Sequence, residues 1–159
     1  EASGAQPVQV ALGSVLSQLC AEFQPQADRA GVTLEARVPE TLSRPLVPQG
    51  HLRQILTNLI SNAIRYEPRG GTVELSASAS RDWIVVRVRD HGPGIPPELG
   101  DRIFERFVRG DTSRSRDTGG SGLGLAIARD LAAVGGMRLR LADPQPQPGA
   151  CLELLLPLG

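Results

Sequence analysis

From Thr72 to Arg89 the chain alternates between apolar and polar side chains in two runs, interrupted only at Ser80-Arg81-Asp82. Val73, Leu75, Ala77 and Ala79 mark the first run; the second, Trp83-Ile84-Val85-Val86-Arg87-Val88-Arg89, is rich in β-branched residues. A period of two over this length signals strands, and two such runs across a short polar turn predict an antiparallel hairpin. The chain is thereby committed to a sheet that other elements must cover. The second strand leads into Asp90-His91-Gly92-Pro93-Gly94-Ile95, where no regular element continues. A carboxylate thus closes a buried strand, and two glycines after it let the backbone approach something closely. Taken alone, such an acid caps a turn more often than it accepts hydrogen bonds from a ligand.

The remaining patterns supply the cover. After a lead-in over residues 1–7 and a short edge strand from Pro7 to Ala11, Leu12, Val15, Leu16, Leu19, Cys20 and Phe23 recur at helical spacing. Ala27 and Ala30 extend that stripe, Pro25 predicts a bend or break, and Gly31 ends the helix. Val32 to Val38 alternates as a strand, and the connection over 39–50 has room for a short strand at Leu46-Val47. A second helix is predicted from Gly50 to Tyr66, with Leu52, Ile55, Leu56, Leu59, Ile60, Ala63 and Ile64 as its core face. Beside that face lie Asn58, Asn62, Arg65 and Tyr66, spaced to share one border of the core. One Asn in a helix is ordinarily a solvated residue. A pair four apart, flanked by core positions, suggests a ligand, because Asn disfavours helix interiors.

Pro96 to Arg109 predicts a short helix with Ile103, Phe104, Phe107 and Val108 as its apolar side, and Gly110 to Thr118 reads as a mobile loop. A third helix is expected from the glycine segment at 119–124 to Val134, with Leu123, Ile127, Leu131 and Val134 as its core stripe and Gly135-Gly136 as its stop. Met137 to Ala142 and Cys151 to Leu156 close the chain as strands. The order predicts an α/β (α+β) domain, a two-layer sandwich. Its mixed, mostly antiparallel sheet has about five strands and is covered on one face by three helices. Residues 1–159 are expected to form this single domain.

Composition removes several function classes. Net charge is zero, which gives no electrostatic case for nucleic acid or a membrane surface. All 17 basic residues are Arg, so a Lys-dependent phosphate loop, a Schiff base or a catalytic amine is excluded. Cys20 and Cys151 sit in apolar patterns without metal-ligand spacing and read as buried thiols. No run of 18 apolar residues and no signal peptide occurs. The chain opens on Glu1, as expected of a piece of something longer.

Glycines ahead of a helix offer free N–H groups and the positive end of the helix dipole to an anion. Gly119-Gly120-Ser121-Gly122-Leu123-Gly124 has four glycines in six residues and runs into a strong helix pattern, which favours phosphate binding over a plain hinge. The dinucleotide fingerprint G-x-G-x-x-G fails here, since Leu125 takes its last position, and fails after Gly92 and Gly94, where Pro97 does.

Four stretches in order carry a resemblance. Asn58-Leu59-Ile60-Ser61-Asn62-Ala63-Ile64-Arg65-Tyr66 resembles the N box of sensor histidine kinases, and Asp90-His91-Gly92-Pro93-Gly94 their G1 box. Ile103-Phe104-Glu105-Arg106-Phe107 is similar to their F box, and Gly120-Ser121-Gly122-Leu123-Gly124-Leu125 to their G2 box. The resemblance implies the Bergerat ATP fold over nearly the whole chain, with ATP and Mg²⁺ as cofactors. It implies that Asp90 accepts the adenine amino group, that Gly92, Gly94 and Ile95 close on the base, and that Tyr66 lies against it. It further implies that Asn62 ligates Mg²⁺ and that Arg65 faces phosphate. Gly120, Ser121, Gly122, Leu123, Gly124 and Leu125 would wrap the phosphates, and Phe104 and Phe107 would anchor a nucleotide-gated flap over 96–119. Asn58 stands where related ATPases have a water-activating Glu, so hydrolysis should be slow and the γ-phosphate kept for a histidine.

The phosphoacceptor helix of that family is missing, and neither His51 nor His91 has the acceptor's context. The partners implied are therefore the kinase's own dimerisation segment and a response regulator. The fragment itself is expected to be a monomer, while the full-length kinase is expected to be a homodimer. The implied setting is a cytoplasmic domain of a kinase held in the bacterial cell membrane. Two rivals remain: a serine kinase of the anti-sigma-factor type, and a nucleotide-sensing module whose catalysis has decayed.

Overall fold

The structure, a computed structural model, describes residues 6–105 and 124–158. Its elements run β1 (Pro7–Gln9), α1 (Leu12–Ala30), β2 (Thr33–Arg37), β3 (Leu46–Pro48) and α2 (Gln49–Tyr66). They continue with β4 (Thr72–Ser80), β5 (Trp83–Asp90), a 3₁₀ turn (Gly100–Phe104), α3 (Gly124–Val134), β6 (Arg138–Leu141) and β7 (Ala150–Pro157). The two-layer sandwich expected from the element order is present. A five-stranded sheet has the order β2-β4-β5-β7-β6, parallel only between β2 and β4, and β1 pairs with β3 in a small separate sheet.

The predicted hairpin lies within the sheet, Ser80 pairing Trp83 at its turn and Glu74 pairing Arg89 at its far end. Because β5 pairs with β7 along its whole length, from Trp83 with Pro157 to Asp90 with Ala150, the acid at its end is held against β7. The period-two pattern sends Ile84, Val86, Val88 and Asp90 to the face under the helices, with Leu152, Leu154 and Leu156 of β7 beside them. The far face carries charge in pairs: Arg87 and Arg140 each donate to Glu153 at 2.8 Å.

α2 is the spine of the helical layer. Every member of its predicted core face is buried, with Leu52, Ile55, Leu56, Leu59 and Ile60 at 0 % exposure. α1 buries Leu12, Val15, Leu16, Leu19 and Ala27, while Cys20 is only half-buried, less enclosed than its apolar setting predicts. Of the bend or break expected at Pro25, the break does not occur: α1 runs through it uninterrupted. Pro25 lies on the exposed side of α1, where the carbonyl that loses its N–H partner can turn to water while the buried face stays packed. Gly31 ends α1 in the left-handed conformation, φ 72°, as its position predicts.

The third helix departs from expectation. Ile127 is 40 % exposed and Val134 75 % exposed; of the predicted stripe within the described residues, only Leu131 packs on the core. The buried side is built from Ala126, Ala128 and Ala132, with Leu125 partly covered. The packing surface is rotated about the helix axis relative to the larger aliphatic residues. Small side chains let α3 approach α2 closely, and that contact outweighs the burial of two larger residues.

Candidate functional site

The site gathers where the C-terminal half of α2 passes the end of β5 and the start of α3. Asn58, Asn62, Arg65 and Tyr66 are all half-buried along the border of α2, as their spacing predicts. Asn58 joins two helices: its Nδ2 donates to the carbonyl of Gly124 at 3.0 Å, and its Oδ1 accepts from Gln54 at 3.1 Å. One turn on, Asn62 Oδ1 accepts from the Arg65 guanidinium at 3.2 Å. α2 thus presents an amide, an amide oxygen and a guanidinium in one row.

Asp90 is 6 % exposed at the end of β5. Burial, with the nearby Glu67 charge, pushes its carboxyl up to about 6. Hydrogen bonds from the Gly92 and Ala150 N–H groups and the proximity of His91 oppose that rise. The Gly92 bond is 2.8 Å long and makes Asp90 a turn cap, as the turn-capping reading expects. A buried acid with perturbed acidity beside a glycine turn is characteristic of a functional site.

The glycines are needed for space. A Cβ on Gly92 would strike the carbonyl of Tyr66, so the turn lies directly against the end of α2. Gly94, at φ 84°, would place a Cβ 2.9 Å from the Gly149 carbonyl, and Ile95 follows it half-buried. Gly149, at φ 109°, would place its own Cβ into the Asp90 carbonyl. Gly149 and Ala150 therefore belong to this corner, a contribution the sequence reading missed. Their signal was weak: one glycine ahead of an apolar strand, in a stretch read only as a Pro-rich turn.

Glu67 was missed too. The residue directly after α2 is buried, and it accepts from the His91 N–H at 2.9 Å. Farther along, Phe104 is buried at 4 % exposure, with Ile103 packed against the core beside it. The guanidinium of Arg129 on α3 lies over the Phe104 ring at 5.1 Å. Leu125 is partly buried and Gly124 exposed, with open space where its Cβ would stand. Phe107, Gly120, Ser121, Gly122 and Leu123, and most of the expected flap over 96–119, lie outside the described residues.

The donor set fits one hard cation with few protein ligands. Asn62 offers an amide oxygen at the half-buried border, and among the described residues no group of three His, Cys, Asp or Glu forms an alternative centre. The thiols are chemically quiet. Burial raises both, with Cys151 pushed up to about 11, so neither is a thiolate near neutral pH.

Comparison with known proteins agrees with this geometry. The family profile described as histidine kinase-, DNA gyrase B-, and HSP90-like ATPase matches residues 48–159. The sensor-like histidine kinase SenX3 of Mycobacterium tuberculosis is 41 % identical over 148 residues, covering 93 % of this chain and 36 % of that protein. The chain therefore spans about a third of such a relative. Among solved structures, the mycobacterial sensor histidine kinase MprB is 27 % identical with a TM-score of 0.77, covering 96 % of this chain and 97 % of that one. Full-length ShkA, solved in complex with AMPPNP, is 33 % identical with a TM-score of 0.76, over 94 % of this chain and 30 % of that one.

Proposed function

This chain belongs to the family of histidine kinase-, DNA gyrase B-, and HSP90-like ATPases, and we propose that it donates the γ-phosphate of ATP to a histidine. Within the family it is the catalytic ATP-binding domain of a sensor histidine kinase. The observation that carries the proposal is Asp90: a buried carboxyl whose pKa is raised by burial, walled by glycines that admit no side chain.

Asp90 accepts a hydrogen bond from the exocyclic amino group of adenine. Guanine would present a carbonyl there, acceptor against acceptor, so the same carboxylate rejects it. Tyr66, Gly92, Gly94 and Ile95 flank the base. Asn62 Oδ1, which accepts from Arg65 in the structure, would hold Mg²⁺ and Arg65 would face the phosphates; the ion would supply neutralisation of phosphate charge. Gly120, Ser121, Gly122, Leu123, Gly124 and Leu125 supply main-chain N–H groups and closure, and Phe104 and Phe107 tie the flap down. Asn58 is an amide and takes no proton from water, so it provides no general base for hydrolysis. The nucleophile is a histidine imidazole. Its nitrogen bonds to the γ-phosphorus as the bond to the β,γ-bridging oxygen breaks and ADP leaves.

The acceptor lies on the dimerisation helix of the same kinase, for relay to a response regulator, and the whole protein is a membrane-held homodimer. Ile127 and Val134, exposed on α3, suit contact with such a helix. The test is to incubate the chain with labelled ATP and Mg²⁺, alone and with the dimerisation segment of its parent kinase. The chain alone binds ATP without labelling itself. The mixture labels the segment on a histidine, inefficiently because the tether is cut, and the label is lost in acid and kept in base. An acid-stable label would replace this proposal with the serine-kinase reading, and binding without transfer would replace it with the nucleotide-sensing one.

A further inference from the structure

Glu67 is a charge in an unfavourable place. It follows the last residue of α2, where the helix carbonyls already concentrate negative charge. Its side chain is only 1 % exposed, so it has lost its water as well. The fold is nevertheless shaped around it. Gly71 passes so close that a Cβ there would strike Glu67 Oε2. His91 meets the carboxylate twice, through its main-chain N–H at 2.9 Å from Oε1 and through ring Nδ1 at 3.1 Å from Oε2. The other ring nitrogen lies 3.4 Å from Glu74 Oε2 on β4. The main-chain bond fixes the peptide that joins Asp90 to His91, and with it the direction in which the Asp90 carboxylate leaves β5. On the other side of His91, Gly92 is pressed against the carbonyl of Tyr66 and donates to Asp90. The turn is thus clamped to the end of α2 at two successive residues.

We infer that Glu67 is a positioning residue for adenine recognition. Acting through His91, it locks the turn that carries Asp90 onto the helix that carries Asn62 and Arg65, so base and phosphates of one nucleotide meet their partners together. The inference rests on the reading of Asp90 as the adenine acceptor. Around Asp90 stand Glu67 from α2, His91 of its own turn and Cys151 of β7, with Glu74 of β4 beyond the imidazole and Arg89 one residue earlier on β5. The Glu67 charge holds Asp90 up and His91 pulls it down. Removing the charge while keeping the shape therefore moves the acid limb of ATP binding to lower pH. A purely structural role would leave that limb in place.

The experiment is calorimetric titration of the whole chain with ATP and Mg²⁺ over about pH 5 to 8, bracketing the Asp90 midpoint. It compares the parent, Glu67→Gln, Glu67→Ala, His91→Ala and the double alanine variant. Glu67→Gln keeps an acceptor for the His91 N–H, so it binds within about threefold of the parent, with its acid limb displaced to lower pH. Glu67→Ala weakens binding about tenfold and His91→Ala by less, since residue 91 still donates its main-chain N–H to Glu67; the double variant is no weaker than Glu67→Ala, because the imidazole acts through that carboxylate. If Glu67→Ala does not fold, Glu67→Gln and His91→Ala decide the matter. Variants that match the parent in affinity and pH midpoint, or single losses that multiply in the double variant, overturn the positioning role alone. A parent that fails to bind ATP overturns the reading of Asp90 beneath it.

Discussion

α2 and α3 lie side by side on the same sheet, and both present a regular aliphatic stripe in the sequence, yet only one of them buries it. α2 hides Leu52, Ile55, Leu56, Leu59 and Ile60 completely. α3 turns Ile127 and Val134 to the outside, packs against α2 and buries Ala128 and Ala132. The difference teaches that a stripe of large side chains specifies a core only where space for it exists. α2 is central and packs against α1, β5 and α3, so its volume is needed. α3 fills a narrow gap against an already complete helix, and there small residues win because they permit contact along the whole face.

Truncation inside α2 should break the comparison most sharply. Leu56→Ala removes a fully buried side chain and is expected to cost about 2–5 kcal/mol in denaturant unfolding. A cost near that of a surface substitution would mean that α2 is not the spine.

At the polar end of α2 the next effect has opposite signs for stability and function. In the folded chain burial holds the Asp90 carboxyl near 6 against an ordinary value of 3.8, a difference worth as much as ~3 kcal/mol. Since the folded value is the higher, the parent keeps full stability below the unfolded value and loses it as pH rises through about 6. Asp90→Asn should therefore raise the melting temperature at neutral pH and flatten that pH dependence. It should also weaken ATP binding by about 1.5–3 kcal/mol, roughly tenfold or more. Stability and affinity falling together would make Asp90 a structural cap alone.

The alanine interface of α3 gives the third comparison. Ala128→Leu enlarges a fully buried position and is expected to cost about 1–3 kcal/mol by overpacking. A stabilised variant would show that the α2–α3 gap is loosely filled. Val134→Ser should change stability by no more than about 0.5 kcal/mol, although the same residue reads as core from its spacing.

The sequence carried the strands and α2 well because period and residue type agree there. The Asp90 corner was legible because Asp-His-Gly-Pro-Gly stops a strand abruptly, and the Asn58, Asn62 and Arg65 row because polar residues interrupt an apolar helix. What it could not carry was the phase of α3, where Leu123-Ile127-Leu131-Val134 and Leu125-Ala128-Leu131-Ala132 are both acceptable helical stripes and only the partner surface chooses between them. Nor could spacing reveal that Glu67 turns inward, since its partner His91 lies on another segment. Pro25 misled for a simpler reason: a helix anchored on its buried side tolerates one lost hydrogen bond on its wet side.

The unbroken pairing of β5 with β7, ending at Asp90 and Ala150, makes the two ends of the nucleotide site unequal in how they can be lost. Amide exchange from the middle of that ladder requires the sheet to come apart, and Asp90 stands at its last pair, anchored to that slowly exchanging strand. α3 is shorter and held by small side chains, and it belongs with the units that open on their own. Under the proposed function, local fluctuation of α3 would loosen the phosphate end of the site before the Asp90 corner.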